Sequence, residues 1–171
     1  MKKFSLIVCI NNTLSIGDNN DLLYHIKSDL ANFKSMTTDN VIICGRKTYE
    51  SLPKRPLPNR TTIIITRDPN YMVDEGVYVV HNLQEVIDLC SEQFSDKECF
   101  VIGGGQIYRE FLQQDLVDVM YITRVLDDTE GETKFPCDPQ HEQALWKTFL
   151  KMPLIEENGI QYNFSIFKRK Y

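Results

Sequence analysis

No C-x-x-C pair, no H-E-x-x-H run and no G-x-S-x-G elbow occurs in this chain, and each absence removes a chemistry. The five cysteines (Cys9, Cys44, Cys90, Cys99 and Cys137) are odd in number and scattered, so neither a disulfide framework nor a zinc site is expected. Free thiols of this kind fit a reducing, cytoplasmic compartment. The three histidines, His25, His81 and His141, show no ligand spacing, and no metal is expected. Without an elbow, a serine nucleophile is not expected either. Cations are few: 19 Lys and Arg against 24 Asp and Glu leave a net charge of −5, and the one basic cluster is the Lys168-Arg169-Lys170 tail. Nucleic acid is therefore not an expected partner. Long apolar runs are missing too. Phe4–Ile10 is too short for a secretory leader, stops at Asn11-Asn12 without a cleavage signal, and reads as a strand; no stretch reaches membrane-crossing length.

What remains is ordinary composition with a clear rhythm. At 171 residues, 42% of them hydrophobic, the chain suits one domain over residues 1–171 with a substantial core. Short apolar runs at Phe4–Ile10, Val41–Cys44, Thr61–Thr66, Val77–Val80 and Cys99–Ile102 are nearly continuous, which is how strands covered on both faces look. Helical spacing separates them at Ile26–Met36, Arg46–Leu52 and Leu83–Cys90, and Gln106–Leu112 follows the last. Val117–Val125, Trp146–Met152 and Gln161–Lys168 are strand-like, and Glu157-Asn158-Gly159 supplies a turn before the last run. The expected fold is α/β: a mainly parallel twisted sheet of about eight strands, four flanking helices and a C-terminal antiparallel hairpin. The polar loop 11–25 and the proline-rich loop 53–59 leave strand ends where open α/β sheets bind ligands, and the first is long enough for a lid.

The sharpest local signal is Val101-Ile102-Gly103-Gly104-Gly105-Gln106-Ile107-Tyr108, a strand that meets three glycines and then a helix. Bare backbone beside a helix N-terminus suits an anionic phosphate, or else is a tight turn with no ligand. The dinucleotide pattern G-x-G-x-x-G is not met, because Tyr108 stands at its last position. Arg46 and Lys47 follow Gly45 at another strand end, with Thr48 next, and Thr66-Arg67 follows a third; each reads as a phosphate contact or as surface charge. Asp29 lies in the first turn of Ile26–Met36 and shares a face with Phe33, and that face, with Ile26 and Leu30, is expected to pack inward. Either it complements the helix dipole, or it is a carboxylate in an apolar cleft that accepts two parallel bonds from an amidine-like N–H pair. Arg60 can clamp a carboxylate, and Thr123 is a core hydroxyl or a ligand contact. A phosphate cradle with one such carboxylate points to a redox cofactor that carries the chemistry.

These segments, in this order, resemble dihydrofolate reductase over nearly the whole length: Leu14-Ser15-Ile16-Gly17, Ser28-Asp29-Leu30 with Phe33, Gly45-Arg46-Lys47-Thr48-Tyr49-Glu50-Ser51, Pro56-Leu57-Pro58-Asn59-Arg60, Ile102-Gly103-Gly104-Gly105, Tyr121-Ile122-Thr123 and Gly131-Glu132-Thr133-Lys134-Phe135-Pro136. The resemblance implies NADPH-dependent reduction of 7,8-dihydrofolate to tetrahydrofolate, with hydride transfer to C6 and protonation at N5. It implies that Asp29 bonds the pterin N3 and 2-amino group and assists protonation through water, backed by Thr123. Ile7, Cys9, Leu22, Phe33 and Ile102 would line the pterin and nicotinamide pockets. Leu52, Leu57 and Arg60 would hold the benzoyl-glutamate tail. Arg46, Lys47, Thr48, Thr66 and Arg67 would take cofactor phosphates. Gly45, Gly104 and Gly105 would meet the cofactor, with Gln106, Ile107 and Tyr108 behind them. Ile16 and Gly17 would touch it from the lid, loop 11–25, over the nicotinamide. A cis Gly103–Gly104 peptide, a monomer and binding of antifolate inhibitors are further implications.

Three departures from the family pattern stand out. Leu22-Leu23-Tyr24 replaces the usual Leu-Pro-Trp of the lid, which is expected to loosen it and to put a hydroxyl at Tyr24, a catalytic position in the family, where an indole stood. Lys27 replaces a proline beside Asp29, and Gln106 replaces a cation after the glycines. Two rival readings share the fold or the ligands: the related reductase of riboflavin biosynthesis, which does not need Asp29, Phe33 and Arg60 in these places, and a folate or nucleotide binder without catalysis.

Overall fold

The structure, a computed structural model, describes residues 2–18 and 21–171. In chain order its elements are β1 (Phe4–Ile10), β2 (Ser15–Asp18), β3 (Asp21–Leu22), α1 (Lys27–Thr37), β4 (Val41–Gly45), α2 (Arg46–Ser51), β5 (Thr61–Ile65) and β6 (Tyr78–Val80). There follow α3 (Leu83–Gln93), β7 (Cys99–Gly103), α4 (Gly105–Gln113), β8 (Val117–Val125), β9 (Thr133–Lys134), β10 (Trp146–Lys151), β11 (Ile155–Glu157) and β12 (Ile160–Arg169).

The central sheet runs β10-β12-β8-β1-β7-β4-β5-β6, with β11 also paired to β12. From β8 to β6 every neighbour is parallel, and β12 returns antiparallel to β8. The continuous hydrophobicity of the strands has the expected cause. On β4, Val41 and Ile43 enter the main core, whereas Ile42 packs on the other face with Leu57 and Phe100. A parallel strand clad on both sides has no face to leave polar. The four helices supply that cladding together with loop 53–59, from which Leu57 is buried. Asn82 accepts the Glu85 N–H at 2.9 Å and so caps α3, which buries Val86 and Cys90.

Several boundaries differ from the sequence reading, each for a local reason. Ile26 is extended, so α1 begins at Lys27, and Ile26 is instead buried with Val125 and Tyr162. Leu30 is 43% exposed rather than packed inward; it lies about 100° around the helix from Asp29, at the margin of the face shared with Phe33 and Met36. The C-terminal hairpin has an added arm: β10 and β11 both pair with β12, and the turn between β11 and β12 is Asn158-Gly159, both at positive φ. Loop 11–25 is not structureless either. Its β2 pairs with β3 and, antiparallel, with β9, which lies more than a hundred residues further along, a partner that no local pattern reveals. Asn19 and Asn20 of the expected lid lie outside the described residues.

Candidate active site

Chain order decides where the site lies. From β1 the chain steps past one position to β4, β5 and β6, then returns to lay β7 between β1 and β4 before β8 takes β1's other side. Connections leave β1 in opposite directions, and beside such a reversal a crevice opens at the carboxyl ends of the strands. A cavity of about 960 Å³ occupies that place. Its wall is built from the residues that follow successive strand ends: Gly45–Thr48 after β4, Thr66-Arg67 after β5, His81-Asn82 after β6 and Gly103–Tyr108 after β7. Val8 and Cys9 of β1 and Ile16, Gly17 and Leu22 of the lid close the near side.

The glycines leave room for side chains of neighbouring elements to pack directly on the main chain. A Cβ on Gly45 would come within 3.3 Å of Ile107 Cγ1, and one on Gly104 within 3.4 Å of Thr48 Oγ1. On Gly105 it would strike Thr133 Cγ2 at 2.8 Å. Gly103 sits at φ 128°, and the Gly103–Gly104 peptide is cis, as the resemblance implied. Gly104 occupies the N-cap position of α4, so the N–H groups of that helix's first turn open toward the cavity wall. Tyr108 contributes its ring only: its hydroxyl donates to the Ile7 carbonyl at 2.8 Å, and it is buried against Phe135. Five side chains, the cations Arg46, Lys47 and Arg67 and the hydroxyls Thr48 and Thr66, were expected to face phosphate, and all five line the cavity. Lys47 and Arg67 are exposed on the wall; Thr66 is half-buried, with its Oγ1 accepting the Asp68 N–H at 3.2 Å. Arg46 instead pairs with Glu50 at 2.8 Å, and Gln106 donates to Glu110 at 3.1 Å.

Asp29 stands beyond the β1 end of this cavity. Cys9 lines the cavity, and its thiol is pushed well up by burial and, secondarily, by the Asp29 charge, which it feels. The Thr123 hydroxyl on β8 donates to Asp29 Oδ1. Burial raises the Asp29 carboxyl above its ordinary value, the Thr123 bond works against that, and the charge of Glu157 adds to it. Burial is the largest of these effects and sets the direction. Ile7, Phe33, Leu52, Leu57 and Ile102 belong to one apolar cluster. Arg60 spends Nε on the Pro58 carbonyl at 2.9 Å and Nη1 on Thr37 Oγ1 at 3.3 Å, two of its five donors.

The dihydrofolate reductase family model matches residues 3–169. The chain belongs to the dihydrofolate reductase family. It is 37% identical over 168 residues to the dihydrofolate reductase of Bacillus subtilis (strain 168), covering 97% of this chain and 94% of the relative. It is 36% identical over 166 residues to that of Staphylococcus aureus, covering 97% and 98%. Among solved structures, dihydrofolate reductase from Enterococcus faecalis complexed with NADP(H) and RAB-propyl superposes with a TM-score of 0.85 at 28% identity, covering 99% of this chain and 97% of that one. The chain is thus an oxidoreductase that reduces 7,8-dihydrofolate to 5,6,7,8-tetrahydrofolate with NADPH.

The cavity suits that cofactor. It has bare backbone and a helix N-terminus at Gly103–Gly105 for a pyrophosphate, cations at Lys47 and Arg67 for a further phosphate, and apolar Ile102 and Ile16 for a ring. Among the described residues, no group of three or more His, Cys, Asp or Glu side chains is placed to hold a metal, and no helix is long and apolar enough to cross a membrane.

Sequence reasoning missed His81, Asn82 and Ser51, which also line the cavity. His81 Nδ1 lies 2.8 Å from the Thr66 carbonyl, which ties the β6 end to the β5 end. Its signal was available: His81 follows directly on the strand Val77–Val80, as Arg67 follows Thr66. The lid is held from behind. Asn11, fully buried, receives the Thr13 and Ser15 N–H groups on Oδ1 at 3.0 Å and donates to the Thr129 carbonyl and to the Tyr24 hydroxyl. Tyr24 in turn donates to Asp127, so the structure turns its hydroxyl toward loop 126–132. Leu22 lines the cavity and is 49% exposed.

Proposed function

We propose that Asp29 is the proton-handling carboxyl of the reduction, with the pterin held at Asp29 beyond the β1 end of the cavity and the cofactor held in the cavity along the glycines. NADPH, when bound, supplies the hydride for C6. Asp29 accepts the pterin N3 and 2-amino N–H groups in a parallel pair, and Thr123 fixes which lone pairs remain for them. A carboxyl raised by burial holds a proton closer to neutral pH, which suits passing one through water to N5. Ile7, Cys9, Phe33 and Ile102 keep bulk water out, and Leu22 closes over the junction of the two rings. Tyr24 acts through the lid, by its bond to Asp127.

Leu52 and Leu57 flank the benzoyl group, and Arg60 meets the glutamate carboxylate with the donors it has left. Arg67, Thr66, Arg46, Lys47 and Thr48 take cofactor phosphates. Gly45, Gly104 and Gly105 admit the pyrophosphate, while Ile16, Gly17, Gln106, Ile107 and Tyr108 complete the wall. The chain works as one catalytic domain over residues 1–171, as a cytoplasmic monomer. Antifolates that carry an amidine-like N–H pair compete at Asp29.

The bond from Thr123 to the half-buried carboxyl of Asp29, beside the cavity, carries this reading. Following NADPH absorbance after dihydrofolate is added tests it. Asp29→Asn is expected to lose roughly three to four orders of magnitude in turnover near neutral pH while NADPH binding persists. Turnover close to that of the unsubstituted chain overturns the assignment.

A further inference from the structure

We infer that Glu157, at the turn of the β11–β12 hairpin, is a positioning residue for the reduction: it caps α1 from outside the helix and sets the electrostatic surroundings of Asp29. The inference rests on the reading of Asp29 as the proton-handling group.

The start of α1 has no cap of its own. Ile26 occupies the N-cap position with extended backbone, and its side chain can accept nothing from the first turn. The missing acceptor comes from 129 residues away. One Glu157 carboxylate oxygen accepts the Ser28 hydroxyl, and the other accepts the Ser28 N–H at 3.4 Å. The Tyr162 hydroxyl, also from the hairpin, donates to Ser28 Oγ at 3.0 Å. Ser28 is the residue before Asp29, so what grips Ser28 sets where the Asp29 carboxyl begins.

The grip and the carboxyl's other partner share one frame. Glu157 pairs with Ile160 across a turn whose two central residues, Asn158 and Gly159, both have positive φ, a tight connection that follows the sheet twist. From there β12 runs beside β8, with Tyr162 opposite Val125 and Phe164 opposite Thr123. The strand pair that gives Asp29 its hydroxyl donor thus also carries the cap of the helix on which Asp29 sits.

Charge acts alongside geometry. The Ser28 hydroxyl, with the N–H groups at the helix start and Lys27 nearby, holds Glu157 below the usual carboxylate range. It therefore stays ionised while Asp29 titrates, and its negative charge favours a proton on Asp29. The other groups facing Asp29 are Cys9 on β1, whose thiol burial keeps neutral, and the uncharged Thr123 on β8. Lys27, on α1, acts on Glu157.

The test is the pH profile of kcat/KM for dihydrofolate, at low and high salt, beside the dissociation constant for NADPH. Glu157→Gln keeps an acceptor for Ser28 and removes the charge. It is expected to move the falling limb down by roughly half a pH unit at low salt, with the acid plateau within about twofold. That shift shrinks at high salt, because the charge is exposed. Glu157→Ala is expected to add a several-fold rise in KM for dihydrofolate with NADPH affinity unchanged. Glu156→Gln is the control: it removes an equal charge from the neighbouring residue, which points to the opposite face of the hairpin, and should move the limb by less than half as much. A limb unmoved in Glu157→Gln, or moved equally by Glu156→Gln, overturns the inference. Asp29→Asn separates the two readings. If the limb persists in that variant, Asp29 is not the titrating group and the proposed function falls. If the limb vanishes there but stays put in Glu157→Gln, the positioning role alone falls.

Discussion

The hydroxyl of Thr123 on β8 donates to the carboxylate of Asp29 on α1, joining residues 94 apart in sequence. This bond both orients the carboxyl and lowers its proton affinity, yet burial outweighs it and the folded chain still holds the Asp29 proton more tightly than an open chain does. Ionising Asp29 therefore costs stability.

The sign of that cost is testable in the protein without ligands. A carboxyl raised on folding contributes fully below its unfolded value, and the contribution is lost as pH rises through the folded value. Asp29→Asn keeps an acceptor for Thr123 and cannot ionise. Its melting temperature should exceed that of the unsubstituted chain by roughly 2–4 °C at about pH 8, the effect of about 1 kcal/mol in a domain of this size. The gap should narrow as pH falls and close only below about pH 3.5, under the unfolded carboxylate value. A constant gap at both pH values would assign the change to packing instead.

Tyr24→Phe removes one hydroxyl from the cluster behind the lid. Asn11 keeps the Thr129 carbonyl as an acceptor, whereas Asp127 loses one of the bonds that hold it below the usual carboxylate range, the Thr129 hydroxyl being the larger. The expected loss is about 1 kcal/mol in urea unfolding. Amide exchange at Thr13 and Ser15 should quicken with it, since Asn11 bonds both. Unchanged exchange would show that Tyr24 does not anchor the lid.

Arg46 is held by Glu50 at 2.8 Å on the exposed side of α2. A cofactor phosphate must compete with that carboxylate. Glu50→Gln is expected to tighten NADPH binding by at most about fivefold, the range of an exposed ion pair, and the gain should fade with salt. Calorimetry at two salt concentrations decides it, and weaker binding would place Arg46 outside the phosphate site.

Gly105 and Thr133 are in contact without room to spare. A methyl at Gly105 would approach Thr133 Cγ2 to 2.8 Å, so Gly105→Ala should destabilise by about 1–3 kcal/mol. Thr133→Ser deletes that methyl. In a double-mutant cycle the second change should recover most of the first, and additive losses would show that the clash is with the Lys134 backbone instead.

Strand content, parallel pairing and the candidate residues were legible because they rest on short-range chemistry. Continuous apolar runs such as Val41–Cys44 mark strands buried on two faces, and three glycines at a strand end mark a close backbone approach wherever the strand is placed. Once the topology puts the carboxyl ends of β4, β5, β6 and β7 in one row, Arg46, Arg67 and the glycines must meet, and so must His81, which was passed over for want of a metal-like spacing. Asp29 was legible as a position and not as a chemical state: burial, the bond from Thr123 and the charge of Glu157 come from three different elements.

Order along the chain thus sufficed for the fold class, since periodicity and turn chemistry act over a few residues and survive without a partner, while the family and the reaction followed from the resemblance of its motifs in their order. Pairings between distant segments depended on the folded topology: β9 turning loop 11–25 into a small sheet, Glu50 holding Arg46, Tyr24 facing Asp127, and a hairpin carboxylate capping a helix whose own N-cap is isoleucine. Such contacts are set by where the whole chain brings two surfaces together, and no local run of residues encodes that.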